Sequence, residues 1–491
     1  MMTNKTRTRF APSPTGYMHI GNLRTALFEY LIAKHDGGDF LLRIEDTDQG
    51  RKVEGAVDII YDTLKNVGLN WDEGPDIGGD YGPYVQSERL GMYKGYAEQL
   101  VKEGHAHYCF CSEEEIEEQR KLADSLGVSF KFKDPCKHLS QEEIQARLDA
   151  GEPCVIRQTI DHVGETSFDD MVYGHIEFDG DLLDEQILIK SDGFPTYNFA
   201  NIIDDHTMNV THVVRGNEYL SSTPKYNLLY DAFGWDRPVY VHVPPVMKDE
   251  KHKLSKRNGD ASYQDLVAKG YLPEAVINYI ALLGWAPETE QEIYSLQELI
   301  DVFDVARISR SPAIFDIDKL TWMNGVYLRG MDEDTYYETV RPYLEKAVKG
   351  PYDLKAISRI IQPRIDVLNQ IEESVDFFDE LPDYDLEMYR HKKMKTTPEI
   401  ALTSLKAARD ALAALDDWSN EEKVHDVLLA LPKEMGLKNG QVLWPVRTAV
   451  TGKQFTPGGA IEIAWILGKD EALRRIDLGI ERLEKSLESA E

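Results

Sequence analysis

Two stretches of the chain alternate short apolar runs with segments of helical period, and about a hundred residues without that alternation separate them. Such alternation points to a parallel sheet covered by helices, because parallel strands need a crossover that a helix supplies. In the first stretch Thr8 to Ala11 reads as a strand, Pro12 to Gly16 as a loop, and His19 to His35 as a helix with Ile20, Leu23, Leu27, Tyr30 and Leu31 on one face. Phe40 to Ile44 is the next strand. Val53, Val57, Ile60, Leu64 and Val67 then recur every three to four residues, and Gly68 stands where a left-handed C-cap belongs. The second stretch runs from Ile187 through a strand at Thr211 to Val214, a helix ending near Phe233-Gly234, and the strand Val239 to Val243. The spacing predicts one doubly wound domain interrupted by an insertion over about 92–190, which reads as a small domain of its own with an acidic helix from Glu113 to Glu118. From about residue 333 the period is helical throughout. Ile357, Ile360, Ile361, Ile365 and Leu368 make one apolar stripe and Ala401, Leu405, Ala408, Leu412 and Leu415 another, so an all-α region in two bundles is expected.

Charge enters as an exclusion. With 55 Lys and Arg against 86 Asp and Glu, the net charge is −31. A bulk field of that sign repels phosphate and argues against non-specific nucleic-acid binding. The sum nevertheless hides basic stretches at Lys5 to Arg9, Lys248 to Arg257 and Arg390 to Lys395, and binding responds to local potential. Met1 to Pro14 lacks the apolar core of a signal peptide, and the longest apolar run, Ala275 to Ala286, falls far short of the ~20 residues that span a bilayer. No membrane association is expected. Four cysteines are too few for a disulfide scaffold, which points to a reducing, cytoplasmic setting. At ~100–200 residues per domain, 491 residues predict roughly three to five domains.

Two segments carry phosphate chemistry. The loop Ala11 to Asn22 joins the first strand to the first helix, where a helix N-terminus offers free N–H groups and a positive dipole end. It has neither the G-x-G-x-x-G pattern nor the Lys of a P-loop, so both of those readings fail; a tight Pro- and Gly-rich turn is the plain alternative. The second segment, Lys248 to Arg257, holds five fixed cations against two acids just after the last sheet strand. A basic loop alone is usually solvated surface, but beside the first segment it is placed to clamp a polyphosphate. A third cluster suits a metal: Cys109-x-Cys111, 24 residues, then Cys136-x-His138 offers three thiolates and an imidazole for tetrahedral Zn²⁺. Its one-residue gaps are tighter than usual, and unrelated thiols with a surface His are the alternative. Cys154 is left over as a small buried residue, and His206, His212 and His242 read as packing or capping groups.

His19-Ile20-Gly21-Asn22 after Pro12-Ser-Pro-Thr-Gly16, paired with Lys253-Leu-Ser-Lys-Arg257, resembles the HIGH and KMSKS signatures of class I aminoacyl-tRNA synthetases. Arg9 to Gly16, Arg43-Ile-Glu-Asp-Thr-Asp48, Asp192-Gly-Phe-Pro-Thr-Tyr197 with Asn201, and Trp322-Met-Asn-Gly325 resemble bacterial glutamyl-tRNA synthetases, nearly end to end. Two departures are Asn22 in place of the final His of the first signature and the Arg that ends the second. The resemblance implies a Rossmann-type catalytic domain in two halves (1–91 and 191–252) around an acceptor-stem-binding, zinc-bearing insertion (92–190). A stem-contact region (253–332) and two helical anticodon-binding subdomains (333–395 and 396–491) would follow. It implies ATP-dependent activation of L-glutamate and transfer to the 3′ end of tRNA(Glu), and to that of tRNA(Gln) as well in a non-discriminating enzyme.

By the same resemblance His19, Lys253 and Lys256 are catalytic, and Thr15, Gly21 and Asn22 join them around ATP, with Mg²⁺ as the nucleotide's counter-ion. Arg9, Ala11, Ser13, Glu45, Tyr197, Asn201, Arg215 and Glu218 would line the glutamate site. The charges agree: a substrate with two carboxylates and one ammonium asks for two cations and one anion, which Arg9, Arg215 and Glu45 supply. Cys109, Cys111, Cys136 and His138 would hold one structural Zn²⁺. An arginine that reads the third anticodon base in some relatives falls at Ile361-Gln362-Pro363-Arg364, with its counterpart either Gln362 or Arg364. A monomer is expected. Glutaminyl-tRNA synthetases end in β-barrels and queuosine-glutamylating paralogues lack an anticodon-binding domain, so the helical C-terminal third disfavours both; the paired signatures disfavour a catalytically inactive tRNA- or zinc-binding protein.

Overall fold

The structure, a computed structural model, describes residues 5–47, 53–128, 130–161, 163–254 and 262–489. Asp48, Ser255, Lys256 and Arg257 therefore lie outside the described residues. The chain divides into two compact units, Met1–Val267 with Pro273–Asp316, and Ala268–Leu272 with Ile317–Glu491.

In the first unit β1 (Arg7–Phe10) is buried along its length and pairs in parallel with β2 (Asp39–Leu42), Arg7 opposite Asp39. Between them runs α1 (Ile20–His35), apolar on nearly every side, with Leu23, Leu27, Phe28 and Leu31 fully buried. A helix buried all round belongs against a sheet rather than on the surface. The return to β2 needs glycine: Gly37 has φ +66°, and a Cβ on Gly38 would collide with the Thr6 carbonyl. After α2 (Ala56–Asn66) Gly68 takes φ +79°, as the sequence predicts, and α3 (Leu90–Glu103) leads into the insertion.

The insertion holds β3 (Ala106–Cys109), α4 (Glu113–Ser125), α5 (Gln141–Asp149), β4 (Val155–Gln158), the hairpin β5 (Glu165–Asp170) and β6 (Gly174–Asp179), and β7 (Ile187–Ile189). α4 and α5 each open with a capping box, Ser112 with Glu115 and Ser140 with Glu143. β3, β4 and β7 form an antiparallel sheet. The hairpin does something else. Its strand β5 meets β9 (Val239–Val243) in parallel, Asp170 opposite Tyr240, and so extends the sheet of the doubly wound fold.

The second half supplies α6 (Tyr197–Thr207), β8 (His212–Gly216), α7 (Thr223–Phe233) and β9, with β8 and β9 parallel. β1 and β8 run side by side, joined where they start by Thr211 N–H donating to the Arg7 carbonyl at 3.0 Å. The chain thus leaves β1 toward β2 on one side and returns at β8 and β9 on the other. Such a switch point opens a crevice beyond the carboxyl ends of the strands, which is where Arg9 and Arg215 stand. β10 (Val246–Met247), α8 (Tyr263–Ala268), α9 (Pro273–Ala281), α10 (Leu296–Val302) and β11 (Ala313–Ile314) follow, with β10 and β11 parallel.

Among its described residues the second unit is helical throughout: α11 (Ile317–Gly330), α12 (Glu333–Ala347), α13 (Leu354–Ile361), α14 (Gln370–Val375), α15 (Pro398–Ala414), α16 (Glu421–Glu434), α17 (Asn439–Thr451), α18 (Ala460–Leu467) and α19 (Lys469–Glu488). Ala401, Leu405, Ala408 and Leu412 are buried on α15 as the stripe predicts. α13 stops before Pro363, which has no N–H to carry the hydrogen-bond ladder on, although Gln362 itself keeps helical dihedrals. α11 belongs to this unit: Asn324 accepts from Leu272 N–H at 2.8 Å and donates to the Asp366 carbonyl at 2.6 Å.

Candidate active site

The first signature builds the N-terminus of α1. His19 is the N-cap, extended in its backbone, and its Nδ1 accepts the Gly21 N–H at 3.0 Å. Its Nε2 lies 3.0 Å from the Leu254 carbonyl. A carbonyl can only accept and Nδ1 is already an acceptor, so the ring is neutral with its proton on Nε2. Both ends of the second signature loop rest on this corner. Lys253 pairs with Met247 on one side; on the other, Ser262 pairs with His19 and Tyr263 N–H donates to the Met18 carbonyl at 3.0 Å. A Cβ on Gly21 would come within 3.2 Å of the His19 ring, so glycine lets the ring fold over the helix end. Ser13, Thr15 and Asn22 are exposed around it, while Ala11 is half-buried.

Below the loop lies a buried net of charge. Arg9 donates through Nε and Nη2 to the two oxygens of Asp205 at 2.8 and 3.2 Å, and through Nη1 to Glu29 at 3.2 Å and the Val214 carbonyl at 3.3 Å. Arg43 reaches Asp205 at 2.7 Å and Glu45 at 2.9 Å. Arg89 reaches Asp204 at 2.7 Å. Three cations thus face four acids, and burial pushes the Glu29 carboxyl well above the ordinary range. Burial also presses on Asp205, but Arg9 and Arg43 outweigh it and hold that carboxyl down. Glu45 Oε1 takes Arg43 and, at 3.2 Å, Asn201 Nδ2; its buried Oε2, like Glu29 Oε2, has no hydrogen-bond partner.

Arg215 is the cation of this region that no described carboxylate pairs. Its Nε donates to His242 Nε2 at 3.1 Å and its Nη2 to Thr223 Oγ1 at 2.9 Å. The rings of Tyr219, Tyr226 and Tyr240 surround the guanidinium at 5.3, 4.7 and 5.4 Å. Tyr197, first residue of α6, stands 5.8 Å from the Tyr219 ring, and Glu218 is exposed on the turn after β8.

The cysteine cluster assembles with one exchange. Sulfurs of Cys109, Cys111 and Cys136 and a carboxylate oxygen of Asp134 all lie within 4.8 Å of one another. His138, expected as the fourth ligand, is exposed and outside that group. The reason is local: Asp134 caps the turn Pro135–His138 by accepting Cys136 N–H at 2.9 Å, which pulls its carboxylate inward, where His107 Nε2 meets it at 3.0 Å. Burial pushes the Cys109 thiol up to about 11 and raises Cys111 as well; a bound dication would reverse both shifts. The donor set fits a soft tetrahedral metal.

Comparison with known proteins agrees with this geometry. Residues 5–322 match the family described as tRNA synthetases class I (E and Q), catalytic domain, and residues 335–480 match an anticodon binding domain. The chain is 59% identical over 486 residues to the glutamate–tRNA ligase of Clostridium acetobutylicum, covering 99% of the chain and 100% of that relative. The chain belongs to the glutamate–tRNA ligase family. A second ligase, from Clostridium botulinum strain Hall, is 60% identical over 482 residues, 98% of this chain and 99% of its own. Among solved structures, a glutamate tRNA ligase of Elizabethkingia meningosepticum in complex with its amino acid superposes with a TM-score of 0.89 at 35% identity, covering 98% of this chain and all of that one. The ligase of Elizabethkingia anophelis gives 0.88 at 34%, covering 97% and 100%.

Within the ligase fold, Gln362 turns inward and donates to the Leu328 and Met331 carbonyls at 3.2 and 2.9 Å. Arg364 instead lines a cleft of about 790 Å³ with Arg447, Lys453 and the 83% exposed Phe455. Sequence reasoning missed Asp205, Glu29, Asp170 and His242. A signal existed for the first: Asp204-Asp205 interrupts a helix whose neighbours Phe199, Ala200, Ile202 and Ile203 are all buried, and buried acids need partners. No described helix is long and apolar enough to cross a membrane.

Proposed function

We propose that this chain activates L-glutamate with ATP and transfers it to the 3′ end of tRNA(Glu). The observation that carries the reading is the pair of open charges near the carboxyl ends of the strands: Arg215, which no described carboxylate pairs, and Glu45, whose Oε2 has no hydrogen-bond partner, suit a substrate that carries carboxylates and an ammonium. The glutamate α-carboxylate attacks the α-phosphorus of ATP, the bond to the β-phosphate breaks, and pyrophosphate leaves. A ribose hydroxyl of tRNA then takes the acyl group and AMP departs. Glu45 holds the ammonium; Arg9, Arg215, Ser13 and Tyr197 the carboxylates, with Ala11, Asn201 and Glu218 around them. Thr15, His19, Gly21, Asn22, Lys253 and Lys256 hold the nucleotide, and Mg²⁺ arrives with it. This is catalysis by position and charge, with no general base. A cation held for a carboxylate rejects glutamine, whose amide would leave it unpaired.

The insertion would receive the acceptor stem, and the helical residues from 333 the anticodon. Thiolates of Cys109, Cys111 and Cys136 would hold one structural Zn²⁺. Fewer than about half a zinc atom per chain, in protein purified without chelator, refutes this; zinc contents of Asp134→Asn and His138→Asn assign the fourth ligand. Because Arg364 rather than Gln362 faces the cleft, the reading favours discrimination against tRNA(Gln). Aminoacylation of purified glutamate and glutamine tRNAs side by side tests both statements. Charging of glutamate tRNA alone is expected; charging of neither sinks the enzyme reading, and charging of both sinks the discrimination. Lys256→Ala should slow adenylate formation by about two to three powers of ten and leave glutamate binding nearly intact, read by pyrophosphate exchange with tRNA present.

A further inference from the structure

His242 has no exposed surface, lies on β9, and faces two groups that fix its chemistry. Its Nδ1 stands 2.7 Å from Asp170 Oδ2, and its Nε2 receives the Arg215 Nε–H at 3.1 Å. A guanidinium cannot accept, so Nε2 must be the bare nitrogen and Nδ1 must carry the proton that Asp170 binds. Asp170 is itself held: Val172 and Tyr173 N–H donate to Oδ1 at 2.9 and 2.8 Å, and His242 N–H to Oδ2 at 3.0 Å. Besides these, Thr223 Oγ1 lies 3.3 Å from Nε2 and the Tyr240 and Phe168 rings flank the imidazole at 5.9 and 6.3 Å. Burial keeps the ring neutral; Arg215 and Glu218 act on it in opposite senses, and Asp170 pulls it up without prevailing.

We propose that Asp170 and His242 are positioning residues that orient Arg215, so that His242 sets both glutamate affinity and the preference for glutamate over glutamine. Asp170 fixes the tautomer, the tautomer presents one lone pair, and that lone pair holds Arg215 Nε. The Nη1 edge, which bears no hydrogen bond among the described residues, then turns toward the ligand. Asp170 comes from the inserted hairpin, so the insertion contributes to amino-acid selection and not only to the tRNA side. The inference rests on the reading that Arg215 binds a substrate carboxylate.

Full-length His242→Phe keeps a ring but no acceptor, and His242→Gln places an amide oxygen near the Nε2 position. Aminoacylation kinetics for the phenylalanine variant should show glutamate KM raised about tenfold or more and glutamate-over-glutamine preference reduced about as much, with ATP KM little changed. The glutamine variant should recover most of both. Unchanged glutamate KM and preference in the phenylalanine variant overturn the inference, as does a glutamine variant no better than phenylalanine. If the phenylalanine variant does not fold, ¹⁵N spectra of the wild-type imidazole decide: a proton on Nδ1 alone at neutral pH supports the inference, and a proton on Nε2 overturns it. Arg215→Gln, measured alongside, separates the two levels. Should it leave glutamate KM unchanged, the reading of Arg215 falls; should it raise KM while His242→Phe does not, the inference alone falls.

Discussion

Arg475 on α19 has no exposed surface and spends its guanidinium on the carbonyls of Phe377, Val450 and Phe378 at 2.7, 2.8 and 2.9 Å, while its Nε meets Glu471 at 2.6 Å. Arg475→Met keeps bulk but leaves three carbonyls without donors, so it should destabilise the helical unit by ~2–4 kcal/mol, measured by denaturant unfolding. Its partner gives a pH signature. Hydrogen bonds from Arg474 and Arg475 lower Glu471 to about 2 from an ordinary 4.5. A depressed carboxyl stabilises above its unfolded value, so this contribution is complete above pH ~4.5 and lost as pH falls toward 2. Glu471→Gln should flatten unfolding-against-pH curves in that window; identical curves would count against the pairing. At this scale the sequence reveals groups that carry chemistry and conceals the ones that hold them. Arg9 and Glu45 stand in motifs, whereas Asp205 lies 196 positions from Arg9 and the hydrogen bond between them exists only after folding. From the sequence His242 reads as a packing or capping group; its bonds to Arg215 and Asp170 exist only after folding.

Among elements, α1 shows a cap doing two jobs. His19 satisfies the Gly21 N–H and reaches the Leu254 carbonyl. His19→Asn retains N-cap chemistry on a shorter side chain, so the melting temperature should stay within a few degrees while adenylate formation falls about 100-fold or more. His19→Ala should lose the activity and about 1 kcal/mol of stability together. Equal melting temperatures for the two variants would show that the cap contributes little. Elements are the most legible level: apolar period locates α1, α15 and the strand Val239–Val243, and the acidic run Glu113 to Glu118 falls within α4. What escaped was partnership. β5 joins the main sheet through one residue pair, Asp170 with Tyr240, and α11 joins the helical unit through Asn324; neither contact leaves a periodic trace.

For the molecule as a whole, a charge of −31 and an RNA substrate coexist because the cations are local. Arg364, Arg447 and Lys453 gather at one cleft, and Arg447 stacks 4.2 Å over Trp444, an arrangement suited to unstacked bases. The tRNA KM should therefore rise steeply with added salt while glutamate KM in the same assays changes little; parallel rises in both would point to a general salt effect. Residues 165–179 look like part of a removable module, yet they cover an edge of β9 and deliver Asp170 to His242. A graft that exchanges the insertion with a relative's must cut outside the hairpin and leave it with its host sheet. Shortening those fifteen residues would take the partner strand from β9 and Asp170 from His242, whereas a change around Cys109 to Cys136 leaves both in place.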